Sequence, residues 1–415
     1  MSQHDSNTKN HFPALIVGGG LVGGLTALLL AQAGVDVLVL DAGKAPQAEI
    51  LEQRDPRVWA LNVATLKLLQ QAGIASHIQR QQPYSAMQVW NRDGFSELFF
   101  GQASEHVPMP QHWLGTMVEP SAVSFAVYQA FLDAKINCQY QAKVSRVERL
   151  PQAWQVELTD GSRYTTDLLI AADGANSFVR QQVGMQIERL DYQQTAISCA
   201  IRTEQPHQHT ARQIFLPTGP LALLPMADVD DAQQGHWQSI VWTMPSDLAE
   251  QYMALPVAEF QQQLQKASHY MLGEISEITK PASFPLIARH AEHYVKDGLV
   301  LLGDAAHVIH PLAGQGVNIG CLDVAILVDA LLNDKQRGAW ANIQTLRRYE
   351  QARRPHNAMM MHSMSAIDFV HRSQWRPLQI LRNTGQNFIA KQPKLVDFFN
   401  HQASGLDVLS KTRYA

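Results

Sequence analysis

The feature that most constrains the fold is a glycine-rich turn near the N-terminus, between an apolar run and a helical pattern. The run Ala14 to Val17 is followed by GGGLVG at residues 18–23, and then by leucines at helical spacing up to residue 30. A second apolar run, Val35 to Leu40, ends in Asp41. Strand, tight turn, helix and strand form a βαβ unit, which joins two parallel strands. We therefore expect the chain to begin with a parallel α/β layer.

The glycines of this turn match the GxGxxG pattern of dinucleotide-binding folds. Gly18 permits a tight turn, Gly20 lets the backbone approach a pyrophosphate, and Gly23 allows close helix packing. Unpaired N–H groups at the start of the helix suit phosphate oxygens. Asp41 is placed to accept hydrogen bonds from ribose hydroxyls. The pattern does not separate FAD from NAD, so a nicotinamide-dependent dehydrogenase stays open at this point.

A second motif far downstream favours FAD. Residues 301–307, LLGDAAH, end a predicted strand in Gly303 and Asp304, and residues 311–318, PLAGQGVN, follow as a glycine-rich loop. An NAD site has no evident use for a second acid and loop about 260 residues beyond the first. FAD carries a ribityl chain and an isoalloxazine ring that both need holding.

A third motif lies between the other two. Residues 173–180, DGANSFVR, follow the apolar run Leu168 to Ala171, and Arg57 lies in the stretch DPRVWAL at 55–61. With these motifs in this order, the sequence resembles the flavoprotein aromatic hydroxylases, whose GD box, PxxGxGxN loop and DG box it matches. The similarity extends from about residue 14 to residue 385.

The resemblance implies a role for each matched residue. Asp304, next to Gly303, would bind the ribityl chain, while Asp173 and Gly174 would contact both FAD and a reduced nicotinamide. Arg57 would lie near the flavin. The loop and the following helix would lie against the ring, with the positive helix end at the flavin N1/O2 edge. Their matched residues are Pro311, Gly314, Gly316, Val317 and Asn318.

The resemblance also implies the reaction. FAD would be the cofactor, NADPH or NADH the electron donor and O₂ the co-substrate, and an aromatic ring would be hydroxylated through a flavin C4a-hydroperoxide. Because the cofactor carries this chemistry, no catalytic side chain is expected. No metal site is expected either. His307 and His310 lack a clear third ligand, so packing or hydrogen bonding near the flavin is their preferred interpretation.

Within the hydroxylases, the resemblance is closest to the ubiquinone-biosynthesis branch. The loop at 310–318 is characteristic of it, and stretches at 87–90, 201–207 and 211–215 are similar to the member that hydroxylates 2-polyprenylphenol. The implied substrate is a lipophilic, polyprenylated phenol or quinol. The sequence departs from the family pattern at Asp41, where many members have Glu, and at Pro120, where relatives often have Asn. The Asp41 side chain should still reach ribose, whereas Pro120 puts a local flavin contact in doubt.

A polyprenyl tail needs a long apolar channel. Ordinary sheet core is the preferred interpretation of each large apolar residue in the middle of the chain, but together they are candidates for the wall of such a channel. These candidates are Phe215, Leu221, Leu223, Leu224, Pro225, Trp237 and Trp242.

The patterns predict an α/β fold: a Rossmann-like, discontinuous FAD-binding domain of the glutathione-reductase type, a mostly antiparallel β-sheet substrate domain, and C-terminal helices. The FAD-binding domain is expected at 12–181, with substrate-domain insertions near 84–117, and resumes at 286–332. The substrate domain is expected at 182–285 and a helical region at 333–415. Strand-like runs lie at 154–158, 164–170, 196–201, 239–243 and 298–302, and a helix is predicted from about 318 to 332.

Composition excludes several classes of protein. The 415 residues carry a net charge of −4, which argues against a nucleic-acid-binding protein. The cysteines, Cys138, Cys199 and Cys321, are scattered, so neither a disulfide framework nor a cysteine zinc site is expected and a cytoplasmic location fits. No uninterrupted apolar stretch reaches the roughly 18 residues that span a bilayer.

The C-terminal end is distinctly basic. Residues 331–415 contain 13 Lys or Arg against five Asp or Glu, interleaved with apolar residues at helical spacing. The preferred interpretation is amphipathic helices with a solvated basic face over a core-facing stripe. Docking on an anionic membrane, peripheral to the inner membrane, or on a partner of a ubiquinone-biosynthesis complex stays open. Contact between copies through these helices is open as well.

Three other functions stay open. A flavin-dependent halogenase shares the N-terminal motifs, but Trp237 and Trp242 do not form the WxWxIP arrangement of that class. A prenyl-chain reductase or a simple flavin oxidase would turn over without adding oxygen to its product. A non-catalytic flavoprotein scaffold would keep FAD without reducing it.

Overall fold

A computed structural model describes residues 10–91, 97–102, 109–228, 235–309, 315–372 and 403–415. Within these ranges the helices are α1 (Leu21–Gln32), α2 (Val63–Gln71), α3 (Pro120–Asp133), α4 (Phe178–Gln182), α5 (Ser246–Met253), α6 (Val257–Ala267), α7 (Gly316–Lys335), α8 (Ile343–Arg372) and α9 (Leu406–Leu409). Short 3-10 turns lie at Ala48–Leu51, Ala75–His77, Pro110–His112 and Gly303–Ala305.

The strands follow in chain order. They are β1 (His11–Val17), β2 (Val37–Leu40), β3 (Trp59–Leu61), β4 (Gln81–Tyr84), β5 (Ala86–Asn91), β6 (Glu97–Gly101), β7 (Gly115–Val118), β8 (Asn137–Gln139), β9 (Val144–Arg149), β10 (Trp154–Leu158), β11 (Arg163–Ala171), β12 (Ile187–Thr203), β13 (Thr210–Leu216), β14 (Gly219–Pro225), β15 (Trp237–Pro245), β16 (Ile275–Ile278), β17 (Ala282–Ala291), β18 (Val295–Lys296), β19 (Leu299–Leu301) and β20 (His307–Val308).

The first sheet contains the predicted βαβ unit. Its order is β18-β19-β11-β1-β2-β8, with β10 paired to β11 and β9 to β10. β1 pairs in parallel with β2 and β11, and β11 pairs in parallel with β19. The carboxyl ends of these strands therefore meet at one edge of the sheet. All three sequence motifs follow strands that end there, as is typical of ligand sites in α/β folds.

The second sheet has nine strands in the order β20-β17-β12-β15-β14-β13-β5-β6, with β16 paired to β12. Its pairs are antiparallel except for β13 with β5, so the predicted antiparallel middle region is confirmed. One face packs against α5 and α6 through large residues such as Trp242 and Phe260. The opposite face packs Ala200 and Ala211 against Val58 and Met117.

The second sheet includes strands from parts of the sequence outside the middle region. The β5–β6 hairpin, from the first quarter of the chain, joins the second sheet through β13, and β20 joins it through β17. A small third sheet, β3-β7-β4, takes its strands from both sides of this hairpin in the sequence. The exact limits of the domains stay predictions.

α7 is a core helix. It packs against α1, α2 and α8. In the described part of the chain it is the one helix long and apolar enough to cross a membrane, but most of it is buried inside the protein.

α8 corrects part of the prediction for the basic C-terminal end. Arg353 does not belong to a solvated face, because it is buried and bonded to Asp323 of α7. Arg348 pairs with Asp334. The apolar side is also divided: Met360 and Met364 pack against the protein, whereas Met359, Ile367 and Phe369 are exposed; the residues after 372 lie outside the described part until 403.

Candidate active site

The turn between β1 and α1 requires glycine at two positions. Gly18 has a φ of +104°, and a Cβ there would lie 2.3 Å from the carbonyl oxygen of Ala172. A Cβ on Gly23 would lie 1.9 Å from the carbonyl oxygen of Gly18. A Cβ on Gly20 would meet nothing within 4 Å, because this residue opens on a large cavity. The space beside Gly20 and the N-terminus of α1 suits a pyrophosphate.

Asp41, after β2, is tied to the same turn. Its Oδ2 accepts a hydrogen bond from the Gly19 N–H at 2.7 Å, and its Oδ1 accepts one from the Gly43 N–H at 2.7 Å. The carboxylate thus holds the loop after β2 against the glycine turn. Each oxygen can accept a further donor, so the geometry is compatible with ribose binding, which stays a prediction.

Two arginines hold the DG loop in place, and one of them joins it to the GD loop. Arg180 is buried and donates from its guanidinium to the carbonyl oxygens of Ala305 at 2.7 Å and Ala175 at 3.1 Å. Arg289 donates to the same Ala175 carbonyl at 2.6 Å. The two loops are therefore held together as one unit.

Asp173 uses one carboxylate oxygen within the protein. Its Oδ2 accepts a hydrogen bond from the Val179 N–H at 3.1 Å, whereas its buried Oδ1 has no hydrogen-bond partner among the described residues. A buried acceptor left in this way costs about 1–3 kcal/mol. Gly174, with a φ of +80°, follows and lines the cavity. Asp173 therefore fits a ligand that brings hydroxyl donors.

Asp304 lies in the cavity wall, in the turn after β19. The turn starts at Gly303, whose φ is +54°. The Asp304 side chain opens on the cavity, but the surrounding protein removes much of its water, and this burial raises its pKa. His307 and then Arg57 act in the opposite direction. Within the described ranges nothing donates to this carboxylate, so it is available to a ligand hydroxyl.

The N-terminus of α7 lies at the cavity. Gln315, Gly316 and Val317 line it, and Gly316 begins the helix. The free N–H groups of a first helical turn carry partial positive charge and suit a ring that gains negative charge. His310, Pro311 and Gly314, in the loop before α7, lie outside the described residues.

Asn318 anchors the start of α7. Its Nδ2 donates to the Ala60 carbonyl at 2.8 Å, and its Oδ1 accepts from the Asn62 N–H at 3.0 Å and from the Thr65 hydroxyl at 2.9 Å. The side chain is therefore engaged with β3 and α2. Its predicted contact with the cofactor is limited to the backbone.

The loop before β3 presents Arg57 to the cavity. The Arg57 guanidinium carbon lies 5.0 Å from the centroid of the Phe284 ring. The Pro56 carbonyl accepts a hydrogen bond from the Ser198 hydroxyl at 2.5 Å, which fixes the loop on β12. Arg57 thus lies at the cavity against the second sheet.

Pro120 is the first residue of α3, where a missing N–H is tolerated. It is not among the described residues that line the cavity. Glu119 before it is buried, forms an ion pair with Arg80 at 2.9 Å and accepts from the Asp55 N–H at 2.9 Å. This segment therefore supports the Arg57 loop.

One cavity of about 610 Å³ connects these groups to the second sheet. Gly20, Arg57, Gly174, Asp304 and Gly316 line one end. The other end is mostly apolar, and its sheet residues include Ala196, Ser198, Ala211, Gln213, Pro220, Ala222, Leu224, Val241, Thr243 and Phe284. A cofactor ring and a second, apolar molecule can therefore meet in it.

The channel candidates lie mainly elsewhere. Leu224 alone of the seven belongs to the described cavity lining. Leu221, Leu223 and Trp242 belong to the core under α5 and α6, which confirms sheet core as their interpretation. Successive side chains of a strand point to opposite faces, so Ala222 faces the cavity between those two leucines.

His307 is buried and pairs with α7. Its Nε2 lies 2.5 Å from Asp323 Oδ2, and Asp323 Oδ1 accepts from Arg353 Nε of α8 at 2.7 Å. Burial alone would raise the pKa of Asp323, but His307 and Arg353 lower it to about 2. His307 thus takes part in a buried hydrogen-bonded network, as its preferred interpretation predicts.

Comparisons with known proteins identify the family. Residues 11–363 match the FAD binding domain family. A 3-demethoxyubiquinol 3-hydroxylase from Escherichia coli strain K12 is 35% identical over 375 residues, which are 89% of this chain and 92% of that protein. The chain belongs to the ubiquinone-hydroxylase family of FAD-dependent monooxygenases.

Other members and structures agree. The ubiquinone hydroxylase UbiL of Rhodospirillum rubrum is 34% identical over 397 residues, 94% of this chain and 89% of that protein. The crystal structure of p-nitrophenol 4-monooxygenase PnpA from Pseudomonas putida matches with a TM-score of 0.74 at 17% identity, over 98% of this chain and 99% of that chain. The α/β flavoprotein fold and the recognition of the hydroxylase family are therefore confirmed.

The site of this ubiquinone-hydroxylase family member fits FAD. The space beside Gly20 suits a pyrophosphate, and the orphaned oxygen of Asp173 and the open carboxylate of Asp304 suit a hydroxylated chain. Family membership makes the protein an FAD-dependent oxidoreductase that acts on aromatic substrates.

Sequence reasoning missed the residues that hold the site together. Arg180 stands within the DG motif, so its position could have suggested a role. Arg289, Glu119 and Arg353 occur in stretches with no local signal. Glu119 and Asp55 are 64 positions apart, and Arg289 and Ala175 are 114 positions apart. Only the folded chain brings such partners together.

Proposed function

We propose that this protein hydroxylates the ring of a polyprenylated phenol or quinol in ubiquinone biosynthesis. FAD is the cofactor, O₂ the co-substrate, and NADPH or NADH the electron donor. One oxygen atom of O₂ becomes a hydroxyl group on a ring carbon, and the other leaves as water. The nicotinamide supplies a hydride for this reduction. The observation that carries the proposal is the cavity that joins the cofactor groups to an apolar sheet face.

The proposal assigns each part of FAD to residues already described. The pyrophosphate lies along Gly18, Gly20 and Gly23, and Asp41 binds the ribose. Asp173, Gly174 and Asp304 hold the ribityl region, and Gly303 lets the polypeptide turn beside it. Bound FAD supplies the redox chemistry that activates oxygen. Arg57 and the backbone at Gly316, Val317 and Asn318 lie near the ring, and Pro311 and Gly314, outside the described residues, stay predicted members of this loop.

The protein contributes position and exclusion of water. The substrate ring lies against the small side chains of β12, β14 and β15, opposite the cofactor end of the cavity. An apolar wall excludes water, which limits unproductive loss of hydrogen peroxide. Arg57 and the first turn of α7 stabilise negative charge beside them.

An anaerobic titration tests the proposal. Purified protein loaded with FAD is titrated with NADPH or NADH, with and without a short-chain 2-prenylphenol, and then exposed to air. We expect the flavin absorbance to bleach faster with the phenol and a hydroxylated product to form in air. Bleaching only by dithionite would indicate a protein electron donor, whereas reduction without any hydroxylated product would overturn the hydroxylase.

The exposed end of α8 supports a finer proposal on location. The enzyme works in the cytoplasm and contacts the inner membrane, where a polyprenylated substrate resides. Met359 and Phe369 are 57% and 64% exposed on α8, within a basic part of the sequence. Apolar side chains next to positive charge are the combination that binds anionic lipid surfaces.

Flotation with phosphatidylglycerol vesicles tests this location. The protein should float with vesicles at low salt and be released at high salt, because basic residues supply part of the affinity. Phe369→Glu should reduce flotation, whereas Phe99→Glu, at an exposed site on β6, should not. No vesicle binding at low salt would contradict membrane contact, and a second copy or another biosynthetic enzyme would then be the partner to seek by sedimentation.

A further inference from the structure

Gln213 is a polar side chain in the apolar wall of the cavity. It lies on β13 and shares its face with Ala211 and Phe215, because side chains alternate along a strand. Its side chain lines the cavity although the residue is only 9% exposed. Its carboxamide makes no hydrogen bond to any described residue. Because the carboxamide opens on the cavity and can both donate and accept hydrogen bonds, it is available to a partner within the cavity.

The neighbouring side chains across the sheet give Gln213 no partner. The strand register places Ala222 of β14 beside it, then Val241 of β15, then Ser198 of β12. Ser198 is the polar member of that row, but its hydroxyl is already bonded to the Pro56 carbonyl. Among these four side chains across the sheet, Gln213 therefore carries the hydrogen-bonding group that is still available.

Among the described residues, the sheet end of the cavity offers no free cation for a carboxylate on the substrate ring. Among the described lining residues, the basic ones are Arg57 and Arg212. The Arg212 guanidinium donates to the carbonyls of His207 at 2.8 Å and Thr210 at 3.3 Å, and Arg57 lines the cofactor end, where the proposed function assigns it to the flavin ring. Because a buried carboxylate without a partner is strongly disfavoured, the sheet end of the cavity suits a neutral ring.

We infer that Gln213 binds an oxygen substituent of a neutral substrate ring and thereby orients the ring toward the cofactor. This inference rests on the proposed function. A carboxamide both donates and accepts hydrogen bonds and carries no charge, so it can pair with a phenolic hydroxyl or a methoxy group. Its loss should affect ring binding and orientation while leaving the cofactor in place.

The test compares two glutamines on opposite faces of the same sheet. Gln213→Met removes the hydrogen-bonding group with little change in volume. Gln238→Leu is the matched control, because Gln238 on β15 is also buried and its amide atoms are unpartnered, but it does not line the cavity. For each protein we would measure FAD content, the Kd of a 2-prenylphenol by equilibrium dialysis, and the hydrogen peroxide released per nicotinamide oxidised.

We expect Gln213→Met to weaken phenol binding about tenfold, the effect of losing one hydrogen bond of roughly 1.4 kcal/mol, and to release more peroxide. FAD content should not change, and Gln238→Leu should resemble the wild type. Wild-type phenol affinity and wild-type peroxide release in Gln213→Met would overturn the inference while leaving the hydroxylase proposal intact. A wild-type protein that neither binds nor hydroxylates the phenol would instead overturn the proposed function.

Two further measurements keep the inference testable. If Gln213→Met fails to fold, the isosteric Gln213→Glu serves, and its phenol binding should weaken as pH rises and the new side chain becomes charged. In addition, wild-type protein should bind 2-prenylphenol at least tenfold more tightly than the corresponding prenylated hydroxybenzoate. Equal or tighter binding of the carboxylate would contradict a neutral ring.

Discussion

Single atoms decide the geometry of the β1–α1 turn. The backbone carbonyl of Gly18 lies where a methyl group on Gly23 would be, and the carbonyl of Ala172 limits Gly18 in the same way. A backbone atom cannot move aside as the end of a flexible side chain can. The close approach of strand, turn and helix therefore depends on glycine at both positions.

Gly23→Ala should lower FAD affinity by at least tenfold, because the turn must open to accept the methyl group 1.9 Å from a carbonyl oxygen. The measurement is the ratio of FAD to protein from absorbance after dialysis against graded FAD. Gly73→Ala is the control, because Gly73 has a positive φ of +78° but an added Cβ would meet no atom within 4 Å. This substitution should lower the stability by about 1 kcal/mol and leave FAD affinity unchanged. Stoichiometric FAD with unchanged affinity in Gly23→Ala would contradict this account.

Site residues that stand in a spaced sequence motif could be predicted from the sequence. Site residues whose neighbours come from strands and loops distant in the chain could not. The glycines at 18, 20 and 23 and the acid at 304 stand in spacings that have a physical reason. Gln213 and Arg180 gain their surroundings from strands and loops far away in the chain. The channel candidates show the same limit, since alternation selects Ala222 and not the larger Leu221 and Leu223 for the cavity.

At the scale of elements, a buried charged network joins α7, α8 and the turn after β19. Asp323 of α7 is fully buried between His307 and Arg353. Asn357 of α8 completes the set, because its Oδ1 accepts from Arg353 at 2.9 Å and its Nδ2 donates to Asp323 at 3.1 Å. The network fixes α8 behind the candidate site.

Arg353→Met should destabilise the protein by about 3–5 kcal/mol, because it leaves the buried Asp323 charge without one of its two charged partners. Urea unfolding followed by circular dichroism gives the free energy of unfolding. Arg347→Met, on the exposed side of the same helix, should change it by less than about 0.5 kcal/mol. Adding Asp323→Asn to Arg353→Met should recover part of the loss; a near-neutral Arg353→Met would show that the network contributes little.

The sequence predicted α7 and the amphipathic C-terminal region, yet it gave Arg353 the wrong environment. Hydrophobic periodicity identifies a helix and its apolar side, but it does not reveal an acid buried on another helix. The counter-charge of Arg353 is 30 residues away on α7. A count of charged residues therefore shows that the end of the chain is basic, but it does not show which of those charges are buried.

At the scale of the whole molecule, the two large sheets enclose one cavity with a polar and an apolar end. A substitution at the apolar end should therefore separate substrate binding from cofactor binding. Ala222→Phe, on β14, should fill part of the wall, abolish phenol binding by dialysis and leave FAD content unchanged. Ala258→Phe, exposed on α6, is the control and should change neither. Loss of FAD in Ala222→Phe with retained phenol binding would reverse the assignment of the two ends.

Acid stability is also a property of the whole fold. Burial lowers the pKa of His290 to about 4 and that of His207 to about 3, so the unfolded chain binds protons at both sites before the folded one does. Their contribution to stability is present above pH 6.5 and is lost as pH falls toward 4, by about 1.4 kcal/mol per pH unit for each group. Thermal unfolding should show Tm falling over that window, and His290→Gln should flatten the fall more than His112→Gln at an exposed site. Parallel curves for the two variants would contradict this assignment.

The central claim is that this flavoprotein transfers an oxygen atom from O₂ to a lipophilic ring. Its most direct test is a single mass-spectrometric measurement on FAD-loaded protein given NADPH or NADH, a short-chain 2-prenylphenol and ¹⁸O₂. We predict a hydroxylated phenol that carries one ¹⁸O atom per molecule. Consumption of the nicotinamide with unmodified phenol, or a hydroxyl group containing oxygen from water, would contradict it.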